Sequence, residues 1–132
     1  MAKKVLVYDA EPQIQLLIKT ILDRVGYDVI APIAPDERGI LPNISNEVGK
    51  EFAEGSVDLV TTCLKGHGGS TVITLAKGFR VPILIVSGWS KYEIPPEVDG
   101  YIEKPVSGIE LIAEVERLIG KPNDETESGI TF

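Results

Sequence analysis

The chain holds a single cysteine and a single histidine in 132 residues. Cys63 has no second cysteine to pair with, so no internal disulfide staples the fold, which fits a reducing compartment. His67 follows Cys63 by four positions, and two candidate ligands fall short of the four that a structural zinc site takes. Cations are scarce as well. Thirteen Lys and Arg stand against 20 Asp and Glu, a net charge of -7, which leaves no clustered basic surface for nucleic acid or an anionic membrane. Long apolar runs are also missing. Lys3-Lys4 is followed by only Val5-Leu6-Val7 before Tyr8-Asp9, too short for a signal-peptide apolar region or a membrane span. A cytoplasmic location is the expectation.

What is present is a chain of one-domain length with 43% hydrophobic residues, enough for a packed core. Apolar runs of strand length alternate with stretches of helical period. Lys4 to Tyr8 reads as a strand buried on both faces. Pro12 suits a first helical position, and Ile14, Leu17, Ile18, Ile21, Leu22 and Val25 recur on one face until Gly26 ends the helix. Tyr27 to Ala31 is a second strand. The stretch from Ala31 to Asn46 carries Pro32, Pro35 and Pro42 and reads as a long loop, after which Ser45 or Asn46 caps a short helix through Phe52, closed by Gly55. Val57 to Thr62 is the third strand, and Gly66-His67-Gly68-Gly69-Ser70 is a flexible loop before a helix from about Thr71 to Gly78. Val81 to Val86 is the fourth strand and Tyr101 to Glu103 the fifth; Ser107 caps a last helix through Ile119. Residues 1–120 form one domain, and the polar, acidic residues 121–132 form a mobile tail or linker.

This alternation implies a parallel sheet with helices on both faces. Such sheets carry their functional residues beyond the carboxyl ends of the strands. Asp9, Cys63, Ser87 and Lys104 all fall at those ends.

Five ordered segments carry a resemblance: Lys3-Lys4-Val5-Leu6-Val7-Tyr8-Asp9-Ala10-Glu11-Pro12, Gly26-Tyr27, Val57-Asp58-Leu59-Val60, Val81-Pro82-Ile83-Leu84-Ile85-Val86-Ser87 and Gly100-Tyr101-Ile102-Glu103-Lys104-Pro105. Together they resemble the receiver domain of two-component response regulators, from Lys3 to Ile119. The resemblance implies a flavodoxin-like (βα)5 fold, a five-stranded parallel sheet. It also implies a phosphorylation pocket, in which two adjacent acids after the first strand and a phosphoacceptor aspartate after the third hold Mg2+. A Ser or Thr after the fourth strand and a Lys after the fifth bind the phosphoryl group, and an aromatic residue on the fifth strand switches rotamer. Asp9, Ser87, Lys104 and Tyr101 match this pattern. Ala10 replaces the second acid and Cys63 replaces the phosphoacceptor.

These departures set the expected chemistry. One of three carboxylates remains, and a thiolate is a soft ligand where Mg2+ takes hard oxygen donors, so no cofactor is expected and Mg2+ binding should be lost. Asp58 cannot substitute, since it lies five residues before Cys63, about 16 Å along the strand and on the opposite pleat. Glu11 is a spare acid whose family position points away from the pocket. Asp9 and Lys104 read as an inherited ion pair, and Cys63 as a small apolar filler. Between Ser87 and Tyr101 too few residues remain for the family's fourth helix, and Pro95-Pro96 would interrupt one, so that helix is shortened or missing. Trp89 and Tyr92 in this segment either cover apolar surface or anchor a partner.

The chain is therefore expected to be a non-enzymatic receiver-like domain that works without aspartyl phosphorylation, through a protein partner such as a histidine kinase, an effector domain or another regulator. Two rivals stand beside this reading. One is a cysteine-based redox sensor or enzyme at Cys63, and the other is an active phosphorelay receiver with an unusual acceptor.

Overall fold

The computed structural model describes residues 2–9, 11–31, 50, 52, 57–63, 67–88 and 98–123. In chain order these form β1 (Lys4–Val7), α1 (Pro12–Val25), β2 (Asp28–Ile30), β3 (Leu59–Thr62), α2 (His67–Gly78), β4 (Ile83–Ser87), β5 (Gly100–Glu103) and α3 (Gly108–Ile119). The five strands make one parallel sheet in the order β2-β1-β3-β4-β5. This is the flavodoxin-like arrangement expected from the sequence.

Strand alternation divides the core in two. Val5, Val7, Leu59, Leu84, Val86 and Ile102 face α1 and α3 and meet Ile18, Leu22, Leu111 and Val115. Leu6, Tyr8, Val60, Ile83 and Ile85 face the other way, toward Phe52 and the α2 residues Val72 and Ala76. Helices thus cover both faces, which is why the central strands are apolar at nearly every position.

The helix ends follow local chemistry. Pro12 opens α1, and Gly26 closes it in the left-handed region at φ 115°, its N–H reaching the carbonyls of Leu22 and Asp23. Ser107 caps α3, its Oγ accepting from the Glu110 N–H at 3.3 Å. At the far end of α3 the Tyr27 hydroxyl donates to Gly120 O at 2.7 Å, and Lys3 Nζ donates to Ile119 O. The Lys3 N–H also donates to Pro122 O at 2.9 Å, so the chain stays attached to the sheet through Pro122.

One boundary differs from the sequence expectation. His67, Gly68, Gly69 and Ser70 are not a loop but the first turn of α2. Glycine costs up to about 1 kcal/mol in a helix, and burial of Val72 and Ala76 on the sheet supplies the tertiary stabilisation that carries the helix back through it. The proline-rich loop, Trp89, Tyr92, Pro95-Pro96 and the tail beyond Asn123 lie outside the described residues, as does Ala10. Three helices of several turns are described, and residues 89–97, where a shortened or missing fourth helix is expected from the sequence, lie outside the described residues. No helix among the described residues is long and apolar enough to cross a membrane.

Candidate functional site

Because β1, β3, β4 and β5 are consecutive neighbours, their carboxyl ends form a row, and the residues that follow them share one edge. Asp9 follows β1, Cys63 follows β3, Ser87 ends β4 and Lys104 follows β5. The Lys104 N–H donates to Ser87 O at 2.8 Å, which fixes the start of the β5–α3 loop beside β4. Asp9, Cys63 and Ser87 are all buried, at 1%, 3% and 4% exposure.

Lys104 is the hub. Its Nζ lies 3.3 Å from Asp9 Oδ2 and 3.5 Å from Oδ1, and 2.6 Å from Glu11 Oε1. Glu11, more than half exposed, is therefore drawn in toward the pocket rather than away from it. The Glu11 N–H donates to Asp9 Oδ1 at 2.9 Å, and the Asp9 N–H donates to the Gln15 side-chain oxygen at 2.8 Å. These two bonds hold the Asp9 carboxylate at the end of β1.

The electrostatics reflect this crowding. Burial pushes the Asp9 carboxyl above the usual carboxylate range, outweighing the stabilisation from the Glu11 N–H and from Lys104. For Lys104 burial works downward, yet the hydrogen bond to Glu11 and the charges of Asp9 and Glu11 overcome it and hold the ammonium above its ordinary value. The Tyr8 phenol is raised by burial first, then by Cys63 and Asp9. Its hydroxyl is buried with no hydrogen-bond partner among the described residues.

Sequence reasoning placed Asp9, Cys63, Ser87 and Lys104 at this edge, and Tyr101 is half-buried on β5, packed against the cluster that holds Tyr8 and Cys63. Ala10, Trp89 and Tyr92 are outside the described residues. Asp58 is confirmed as remote: it precedes β3, and its Oδ2 accepts the Lys4 N–H at 2.8 Å on the opposite edge of the sheet. Two contributors were missed. Gln15 shares the buried stripe of α1 with Ile18 and Leu22, and a polar residue at that spacing signals a partner it must satisfy. Tyr8 interrupts an aliphatic run with a hydroxyl, the one visible sign that something polar reaches the pocket.

Comparison with solved structures identifies the architecture. The fold is that of response-regulator receiver domains. A CheY-like receiver domain protein from Methanospirillum hungatei matches with TM-score 0.69 and 21% identity, over 98% of this chain and 99% of that one. The response regulator TrrA from Thermotoga maritima, solved in complex with Mg2+ and BeF, matches with TM-score 0.65 and 27% identity, over 88% of this chain and 98% of that one. The receiver domain of an HD domain-containing protein from Pseudomonas fluorescens matches with TM-score 0.69 and 16% identity, over 97% and 99%. No protein-family model matches the sequence, and no curated protein does.

Proposed function

We propose that this chain is a receiver-type interaction domain of two-component signalling that operates without aspartyl phosphorylation. The observation that carries the reading is the sulfur at the end of β3. Where a receiver presents its acceptor carboxylate, this chain has Cys63, 3% exposed, on the same edge as an Asp9–Lys104–Glu11 cluster that is already charge-paired. On this reading a phosphoryl group meets a thiol, not a carboxylate, at the end of β3.

The donor set does not fit Mg2+. The TrrA structure holds Mg2+ and BeF; this pocket offers the carboxylates of Asp9 and Glu11, both held by the Lys104 ammonium at 3.3 and 2.6 Å, and the thiol of Cys63. A hard divalent ion needs oxygen ligands and would have to displace that ammonium. Among the described residues no three His, Cys, Asp or Glu side chains gather at one point. The proposed role in recognition requires no Mg2+.

A cysteine-based sensor or enzyme requires an accessible thiolate. The burial of Cys63 against Leu6, Tyr8 and Val60 suits a packed apolar filler instead. The remaining role is recognition, with a histidine kinase, an effector domain or another regulator as the partner. The experiment is phosphorylation by acetyl phosphate with Mg2+, read by intact mass, beside a pull-down from the source cell. The reading expects no adduct and a signalling protein captured. A Mg2+-dependent phosphoryl adduct on the wild-type chain overturns it.

A further inference from the structure

The outward face of α1 has the pattern of a contact surface. Gln15, Ile18 and Leu22 are buried against the sheet, and on the opposite side Gln13, Leu16, Leu17, Thr20 and Arg24 are all exposed. From Gln13 through Leu17 and Thr20 to Arg24 the spacing alternates between four and three residues, which keeps one stripe in line along the helix. Leu16 is 63% exposed and Leu17 41%. Of the large apolar side chains exposed among the described residues, only Phe79 lies away from α1 and α3; the third member of this patch is Ile109, 85% exposed. It follows Gly108, whose Cβ would lie 3.7 Å from Ile21 Cδ1, so the start of α3 sits against α1. Single exposed leucines are ordinary on a protein surface, whereas a grouped patch marks a contact.

The charges beside the stripe narrow the choice of occupant. Lys19 and Asp23 satisfy each other at 2.6 Å. Arg24, in the last turn of α1, makes no hydrogen bond or ion pair among the described residues and is the one charge on the stripe. At the other end of the helix Glu11 remains 60% exposed beside its contact with Lys104. The helix thus presents a cation at one end, an acid at the other and uncharged residues between them.

We propose that a second copy of this chain covers this face, with α1 packed antiparallel on the partner's α1 about a two-fold axis. In that register the stripe is complementary to itself. With the axis between Leu16 and Leu17, Leu16 meets the partner's Leu17, the Gln13 side-chain amide meets the hydroxyl of the partner's Thr20, and Arg24 arrives at the helix end that carries the partner's Glu11. A closed two-fold contact uses one patch twice, so every pairing is made in duplicate. The net charge of -7 on each chain opposes association through most of the surface, whereas the stripe carries no acid. A seam about 20 Å long and one helix wide covers less than the roughly 800 Å2 per partner of a standard interface, so the dimer is weak and reversible. The inference concerns the outer face of α1 and does not rest on the phosphorylation reading.

The test is sedimentation velocity of the full chain from about 10 μM to about 1 mM, a span suited to an interface below the standard size. A reversible monomer–dimer equilibrium is expected, and the Gln13, Leu16, Leu17, Thr20 and Arg24 amides should shift with concentration in NMR spectra. Leu17→Glu places a carboxylate in the seam and should abolish the dimer. Arg24→Glu should weaken it several-fold. A chain that stays monomeric, a dimer that survives Leu17→Glu, or concentration-dependent shifts centred on Phe79 instead of α1 overturns the proposal. Should Leu17→Glu fail to fold, Arg24→Glu decides, since Arg24 is exposed and has no internal contact to lose. An Arg24→Glu dimer as tight as wild type then overturns the proposal.

Discussion

Lys104 makes its shortest contact with Glu11, at 2.6 Å, and a longer one with Asp9, at 3.3 Å. The exposed acid thus holds the ammonium more closely than the buried one, and Asp9 is left a carboxylate in a poorly solvated place. That ordering has consequences for stability.

Asp9→Asn should stabilise the protein at neutral pH. Its raised carboxyl means that the folded state binds this proton more tightly than the unfolded chain does. The associated stability is fully present below the ordinary carboxylate range and is lost as pH rises through the higher folded value. The melting temperature of Asp9→Asn should therefore exceed that of wild type at pH 7, and the difference should vanish under acid. Thermal melts across pH check it, and a melting temperature lower than wild type at pH 7 would refute the reading.

Glu11→Gln should cost less than about 1 kcal/mol, since an exposed partner of an ion pair contributes little. Its clearer effect is on the neighbour. With Glu11 neutral, Lys104 turns fully to Asp9 and the Asp9 carboxyl titrates lower, which carbon-detected NMR of the carboxyl would follow.

Two glycines should respond in opposite directions. A Cβ at Gly100 would lie 2.9 Å from Glu114 Oε2, 3.0 Å from Leu84 Cδ1 and 3.2 Å from Leu118 Cδ1. Gly100→Ala should cost about 1–3 kcal/mol by overpacking between β5 and α3. Gly78, in the last turn of α2, has open space at the same position, and Gly78→Ala should stabilise by roughly 0.5–1 kcal/mol. Urea unfolding of both variants measures the contrast.

Arg80→Gly should raise stability by about 1 kcal/mol, because it removes a left-handed side chain at the end of α2. The same denaturation measurement reads it. A destabilised variant would show that the Arg80 side chain does more for the fold than its exposed position indicates.

The sheet was legible in the sequence because its strands are buried on both faces and so read as apolar runs. The first helix was legible because Pro12 and Gly26 bracket a clean period. The start of α2 was not, since Gly68 and Gly69 signal a loop locally and only packing of Val72 and Ala76 overrides them. At the site, spacing alone put Asp9, Cys63, Ser87 and Lys104 on one edge. The partner preference of Lys104 was not readable, because it depends on a side-chain conformation of Glu11 that a strand-end position leaves free. Gln15 and Tyr8 sat inside apolar patterns, where a single polar group is easily taken as an exception.

The phosphorylation reading also has a constructive form. Ala10→Asp with Cys63→Asp restores three carboxylates on the edge where Asp9, Ser87 and Lys104 already stand. Three like charges should destabilise the metal-free protein and make its melting temperature rise with Mg2+. A double variant that folds but gains neither Mg2+-dependent stability nor phosphate would mean that the likeness to receivers ends at the fold.

The most direct measurement is the intact mass of the wild-type chain after incubation with acetyl phosphate and Mg2+. If Cys63 takes the acceptor position, as proposed, and with Lys104 paired to Asp9 and Glu11, the mass should stay that of the unmodified protein. A gain of one phosphoryl group that depends on Mg2+ would contradict the proposed loss of the covalent switch.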